Sequence, residues 1–297
     1  MAMKVVITGG TGLVGSRLIS RLRADGHQVG VFSRSSRASV NGVEYLVWPA
    51  DARGRQAVAE ADVIFNLAGA PVAQRWSKAA KELILSSRVD VTAALVAMMH
   101  PNCKQTLVSA SAVGIYPEGD AVMDENTTPA QNFLADVVKA WEREAHNATT
   151  AGHRAVCLRI GLVLAPEGGA LAKLLPVFKL GLGSPVGTGA HWQSWIHIDD
   201  LVNLFVFAAQ NGTMSGVYNA VAPQPVTNRT LSQELAKTLG RPFFFPPVPA
   251  FVLKLLFGEM AQVILASQRV NNVRVNTAGF TYKYPEIGGA LRQLFAK

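Results

Sequence analysis

The stretch Met3-Lys-Val-Val-Ile-Thr-Gly-Gly-Thr-Gly-Leu-Val-Gly15 decides how this chain is read. Residues 3–8 form a short β-branched run without polar alternation, the pattern of a strand buried on both faces of a parallel sheet. Gly10, Gly12 and Gly15 then satisfy G-x-G-x-x-G, and Gly9, Gly12 and Gly15 also satisfy G-x-x-G-x-x-G. Either pattern is weak alone. Here it follows a predicted strand and opens a helical stretch that runs to Asp25, with Gly26 as its C-cap. Glycines permit the tight turn and a close backbone approach to a pyrophosphate, and N–H groups at the helix start hold the anion. Gly9, Gly10, Thr11, Gly12, Leu13, Val14 and Gly15 are therefore the candidate phosphate loop of a dinucleotide site.

Working outward, the pattern predicts strands at Gln28–Ser33, Val43–Val47, 62–67, 106–109 and 155–160, with helices between most of them, notably 77–99 and 133–149. Strands alternating with helices imply crossover units. The expected fold is α/β, a doubly wound parallel sheet of the Rossmann type. After about residue 165 the texture changes. Gly and Pro cluster through 165–189, and 194–198 reads as a strand leading into a helix capped by Asp199 or Asp200. Gly216–Ala220 reads as another strand, and Pro223, Pro225, Pro242, Pro246, Pro247 and Pro249 then separate short helices. The expected organisation is a dinucleotide-binding core over 1–165, completed by about 190–220. A smaller, mostly helical substrate lobe is expected from 166–189 and 221–297.

Composition narrows the function. Of 297 residues, 49% are hydrophobic and 16% charged, against a usual charged share of about 25%. Disorder is excluded as the main state. Apolar stretches such as 204–209 are far short of the ~20 residues a membrane helix needs, and the N-terminus has no signal-peptide pattern. Lys and Arg outnumber Asp and Glu by 28 to 20, a net charge of +8. The basic residues are scattered rather than blocked, which suits a small anionic ligand better than nucleic acid. Cys103 and Cys157 read as two buried cysteines in a reducing, cytoplasmic setting. The six histidines show no metal-binding spacing.

The coenzyme type is read from the second strand, which ends Val31-Phe32-Ser33-Arg34. A site preferring NAD usually carries an acid there for the ribose 2′-hydroxyl. None is present. Arg34, and Arg37 after it, suit a 2′-phosphate by charge and by bidentate hydrogen bonding, so the expected cofactor is NADP(H). Arg37 reads equally well as a solvated loop charge. Asn66-Leu67-Ala68-Gly69 closes the fourth strand with small residues that let a ligand lie against the backbone.

The segments 8–15, 66–69, Ser109-Ala-Ser111 and Trp195-Ile-His-Ile-Asp-Asp200 resemble the extended and atypical branches of the short-chain dehydrogenase/reductase superfamily. Residues 219–228, Arg241-Pro242 and Ala278-Gly-Phe280 resemble more narrowly the "epimerase family" group that includes bacterial YfcH. The resemblance spans nearly the whole chain and implies an NADP(H) site with a small substrate lobe. It also implies Arg88 and Arg159 as further cofactor contacts, each with an alternative as an ordinary ion-pair partner.

Active members of the superfamily use a Ser or Thr, a Tyr, and a Lys four residues after the Tyr. Ser111, just past the fifth predicted strand, matches the Ser. The pair does not match: aligning the family's helix Glu on Glu142 puts Leu134 at the Tyr position and Val138 at the Lys position. Lys139 is one residue off, about 100° around a helix. Tyr116 is the nearest available phenol, and it reads as well as a packed loop tyrosine. Arg75, Trp76, His191 and Trp192 are candidates to line a cleft, His197 reads as structural, and the apolar set from Phe251 to Phe257 reads as core. Two functions remain: an NADP(H)-dependent oxidoreductase or epimerase acting on a small carbonyl or sugar-like substrate, or a non-catalytic NADP(H)-binding or sensing protein. The sequence leaves the assembly open, a homodimer among the options.

Overall fold

Seven parallel strands carry the architecture of the computed structural model, which describes residues 2–35, 37–40 and 42–296. They are β1 (Lys4–Thr8), β2 (Gln28–Ser33), β3 (Val43–Val47), β4 (Val63–Asn66), β5 (Thr106–Ala112), β6 (Arg154–Ile160) and β7 (Gly216–Ala220). Their order is β7-β6-β5-β4-β1-β2-β3, every neighbouring pair parallel. This is the doubly wound Rossmann order with a seventh strand added at one edge.

Successive side chains of a strand point to opposite faces, so one sheet serves two cores. Val5, Ile7, Val31, Phe65 and Val108 pack one way, against α1 (Leu13–Ala24) and, later in the chain, α6 (Ile198–Gln210). Val6, Phe32, Leu46, Ile64 and Leu107 pack the other way, against α2 (Ala52–Glu60), α3 (Lys78–Met98) and α4 (Phe133–Thr150). Side-chain caps start α2, α3 and α4: Asp51 accepts from the Gly54 amide, Ser77 from Ala80 and Asn132 from Ala135. The start of α1 has no such cap, because Gly12 occupies the N-cap position.

A third core gathers α5 (Gly169–Lys179), α7 (Asn228–Thr238) and α11 (Ile287–Phe295), with Leu171, Leu175, Trp195, Leu235 and Leu291 buried together. The short strands Leu162–Leu164 and Trp195–His197 pair in parallel just beyond the sheet. The remaining helices are α8 (Ala250–Phe257), α9 (Ala261–Leu265) and α10 (Val273–Thr277).

Five local expectations are corrected. β5 continues to Ala112, because beyond the end of β4 it keeps pairing with β6, Ser111 opposite Arg159. Ser111 is thus the penultimate strand residue, not one past the end. The Gly/Pro-rich stretch contains α5, a helix that tolerates Pro176 near its C-terminal end. The cap of α6 is His197, whose Nδ1 accepts from the Asp199 amide, rather than either aspartate. Asp200 is buried and accepts from the Lys283 and Tyr284 amides, tying the C-terminal segment to α6. Cys103 is exposed, in the turn after α3, and only Cys157 is buried. Finally, α8 is not core: Leu253 is buried, but Phe251, Leu255 and Leu256 are 71%, 84% and 68% exposed.

Candidate functional site

The strand order reverses between β1 and β4, and ligands of open α/β sheets bind outside the carboxyl ends of the strands at such a point. A cleft of about 730 Å³ lies there. Its first half is built from the phosphate loop and the β4 end: Gly9, Gly12, Leu13, Val14, Gly15 and the backbone of Leu67–Gly69 line it.

The glycines of this loop have different reasons to be glycine. Gly9 has φ of +69°, and a Cβ there would stand 2.4 Å from the Leu67 carbonyl oxygen. A Cβ on Gly15 would stand 2.4 Å from the Gly9 oxygen, and one on Gly10 would strike Val31 at 2.6 Å. Those three hold the turn against β4, α1 and β2. Gly12 differs. Its φ is −80°, and a Cβ would meet only the Gly9 oxygen, at 3.3 Å. The backbone conformation does not require glycine there, and the one contact is tight without being the outright clash that the other three would meet. Thr11 is exposed beside it.

Ser33 is buried at the end of β2, with Arg34 and Arg37 exposed after it. Arg37 lies 5.8 Å from the Tyr45 ring centroid, and Arg34 enters no ion pair among the described residues. Neither lines the cleft. Asn66 is fully buried: its amide nitrogen donates to Thr92 Oγ1 (2.7 Å) and Ser109 Oγ (3.1 Å), and its oxygen accepts from Thr8 Oγ1 (2.8 Å). It knits β1, β4, β5 and α3 behind the cleft.

Arg88 lines the cleft from α3. Its guanidinium donates to the carbonyls of Ile84 and Ala70 and stands 5.3 Å from the Trp141 ring centroid. A Cβ at position 69 would come within 2.8 Å of that guanidinium, so Gly69 makes its placement possible. Burial lowers its pKa from the ordinary arginine value.

Ser111 sits at the far end of this half, donating to Glu142 Oε1. Glu142 also forms a two-pronged ion pair with Arg159, 2.8 Å at each contact, with both side chains largely buried. Burial by itself would lower the Arg159 pKa. The hydrogen bonds and charge of Glu142 outweigh it, and the net shift is upward. Arg159 further donates to the Tyr116 hydroxyl (2.9 Å), which donates to Asn219 Oδ1 (2.7 Å). Tyr116 borders the cleft, but its hydroxyl is thereby committed inside the protein. Burial raises the phenol pKa, with Arg159 acting in the opposite direction. Arg159 is turned inward and does not line the cleft.

On α4, Leu134 and Val138 face the cleft, whereas Lys139 is half-exposed and paired with Asp136 at 2.6 Å. Of the four cleft candidates, Trp76 and Trp192 line it; Arg75 and His191 do not. His197 is fully buried, with Nε2 2.8 Å from Gln293 Oε1, and is structural. Sequence reasoning missed Trp141, Phe133 and the wall made by Glu259, Gln262 and Val263. The helical spacing of Leu134, Val138 and Trp141 is a signal for part of this. No sequence signal points to residues 259–263, which reach the cleft only through the tertiary fold.

Residues 5–220 match the model of the NAD dependent epimerase/dehydratase family. This chain belongs to that family. A second model, a domain of unknown function, matches residues 248–294 of this family member. The chain is 40% identical over 302 residues to the epimerase family protein SDR39U1 homolog, chloroplastic, of Arabidopsis thaliana, covering 98% of this chain and 86% of the relative. Its fold is similar to the crystal structure of human epimerase family protein SDR39U1 (isoform 2) with NADPH, with a TM-score of 0.88, 32% identity and 98% and 99% of the two chains covered. It is also similar to a structure described as the nucleoside-diphosphate sugar epimerase from Corynebacterium glutamicum, with a TM-score of 0.80 and 32% identity, over 99% of this chain and 58% of that one. The resemblance to the atypical short-chain dehydrogenase/reductase group, epimerase family, therefore holds for the whole chain.

Proposed function

We propose that this epimerase family member binds NADP(H) in preference to NAD(H) and uses it on a small carbonyl or sugar-like substrate, as an oxidoreductase or epimerase. The carrying observation is the uncapped start of α1 behind Gly12, open to a cleft that runs on to Ser111. A glycine with an ordinary φ, whose Cβ would meet a single atom of its own chain, fits a backbone meeting a pyrophosphate. The human relative described with NADPH supports the same reading. When bound, the coenzyme supplies or accepts a hydride.

The chain's own contribution is positioning and proton handling. Ser111 points its proton at Glu142 and leaves its oxygen lone pairs to accept from a substrate hydroxyl. In the oxidising direction the substrate hydroxyl would give its proton to the Ser111 oxygen while Ser111 gives its own to Glu142. In the reducing direction the same relay would run backwards, from a protonated Glu142 through Ser111 to the substrate oxygen. Glu142, held by Arg159, orients Ser111 and is the group that would take up or return its proton. Arg34 and Arg37 follow the end of β2, the side on which the adenosine ribose of a coenzyme bound at this loop would lie. The proposed compartment is the cytoplasm.

The test is calorimetry with NADPH and NADH on the parent and on Arg34→Ala. The parent binds NADPH more tightly. The variant loses about 10- to 100-fold in NADPH affinity, as expected for charge-assisted hydrogen bonds, and little for NADH. Equal affinities in the parent would end the NADP(H) reading.

A further inference from the structure

Beyond Ser111 the cleft changes character. Its far half is walled by Val72, Trp76, Phe133, Leu134, Trp192 and Val263. Trp76 and Phe133 meet edge to face, ring centroids 5.2 Å apart. Trp76 spends its single polar group on the Val72 carbonyl (2.9 Å), which leaves its ring as apolar wall.

The charged side chains lining this half are acidic; Arg269, 4.5 Å from the Trp192 ring centroid, does not itself line the cleft. Glu118 and Glu259 line this half, and Lys81 is committed to Glu259 at 2.5 Å. Among the described residues lining the cleft, Arg88 is the one cation. It lies against Gly69 in the coenzyme half, two of its donors already given to backbone carbonyls. The start of α4 nearby is closed by Asn132, which caps the Ala135 amide. A nucleotide sugar brings a diphosphate, which needs cations or open helix-start amides to replace its lost hydration. The uncapped helix start lining the first half is that of α1, assigned above to the coenzyme.

We propose that the far half takes an uncharged, apolar, ring-bearing carbonyl compound rather than a nucleotide sugar. Aromatic walls around a few polar groups suit such a ligand, and Ser111 at the junction stands where its oxygen would meet the coenzyme half. This inference rests on the coenzyme reading of the first half.

The test uses the full chain with NADP+, which cannot reduce a ketone, so that binding is measured without turnover. The protein is titrated with 2-acetylnaphthalene and with UDP-glucose, followed by calorimetry and tryptophan fluorescence. The parent is compared with Val263→Glu and Trp76→Leu. Val263 is 39% exposed at the cleft lip, so its substitution leaves the fold intact. The ketone should saturate the parent and bind about tenfold more weakly, or worse, to Val263→Glu, while NADP+ binding is unchanged and UDP-glucose shows no saturation. Saturable UDP-glucose binding, no ketone binding, or equal ketone binding by parent and Val263→Glu would each overturn the proposal. Both ligands are also titrated without coenzyme. Failure of NADP+ to bind then refutes the coenzyme reading separately, and the ketone result still judges this one.

Discussion

Gly12 separates two reasons for a glycine. Gly9, Gly10 and Gly15 are demanded by contacts inside the chain, so enlarging them disturbs the fold. Gly12 has an ordinary φ, and a Cβ there would meet the Gly9 oxygen alone, at 3.3 Å. Gly12→Val should therefore fold, losing about 1 kcal/mol because valine is a poor N-cap, yet fail to bind dinucleotide. Thermal melting with and without NADPH measures both halves: a modest drop in Tm, and no ligand-induced rise. A variant that is still stabilised by NADPH as the parent is would place the pyrophosphate elsewhere. The loop motif was fully legible in the sequence because its spacing depends only on local chain geometry. The distinct status of Gly12 was not, since it depends on what lies around each Cα.

At the scale of elements, α4 governs the chemistry. Its register puts Leu134 and Val138 on the cleft and Glu142 beneath Ser111, with Lys139 outside. The general acid–base contribution of a Tyr–Lys pair, worth about 10²–10⁴ in rate, is missing. Turnover is expected to be slow by that margin. Lys139→Ala should leave it unchanged, Ser111→Ala should abolish most of what remains, and Tyr116→Phe should cost less than Ser111→Ala. Initial rates of NADPH oxidation with a panel of carbonyl substrates provide the check; a collapse confined to Lys139→Ala would contradict the register. The Glu142–Arg159 pair ties α4 to β6. Breaking a buried pair from one side costs about 3–5 kcal/mol, so Arg159→Ala should unfold at markedly lower denaturant. A midpoint equal to the parent's would show the pair to be dispensable.

Across the whole molecule, three buried histidines connect the cores to pH. Burial lowers the pKa of His153, His191 and His197 from the ordinary value. For His197, Asp199, Asp200 and Gln293 pull upward and Lys283 downward, but desolvation prevails. A lowered folded-state pKa means that the unfolded chain binds protons first. Stability is then complete above the ordinary histidine value and falls as pH drops below it, by at most about 1.4 kcal/mol per pH unit for each group. Urea midpoints should hold steady from pH 8 to 7 and decline between pH 6.5 and 5. His197→Gln should flatten part of that decline. A midpoint that rises on acidification would reverse the sign.

Periodicity and turn chemistry are properties of neighbours in the chain, and they determined the strands of the sheet, the phosphate loop and the absence of an acid after β2. The Asn66–Gly69 strand end and the mismatch at Leu134 and Val138 were legible for the same reason. The tertiary structure alone decided what depends on residues far apart in sequence. The pairing of β5 with β6 carried the strand past Ser111. The meeting of α4 with β6 turned Arg159 inward onto Glu142 and committed the Tyr116 hydroxyl. Among the described residues nothing covers Phe251, Leu255 and Leu256 of α8, where hydrophobicity alone had suggested core. Burial and charge pairing are sums over neighbours in space, and a one-dimensional pattern does not hold that list.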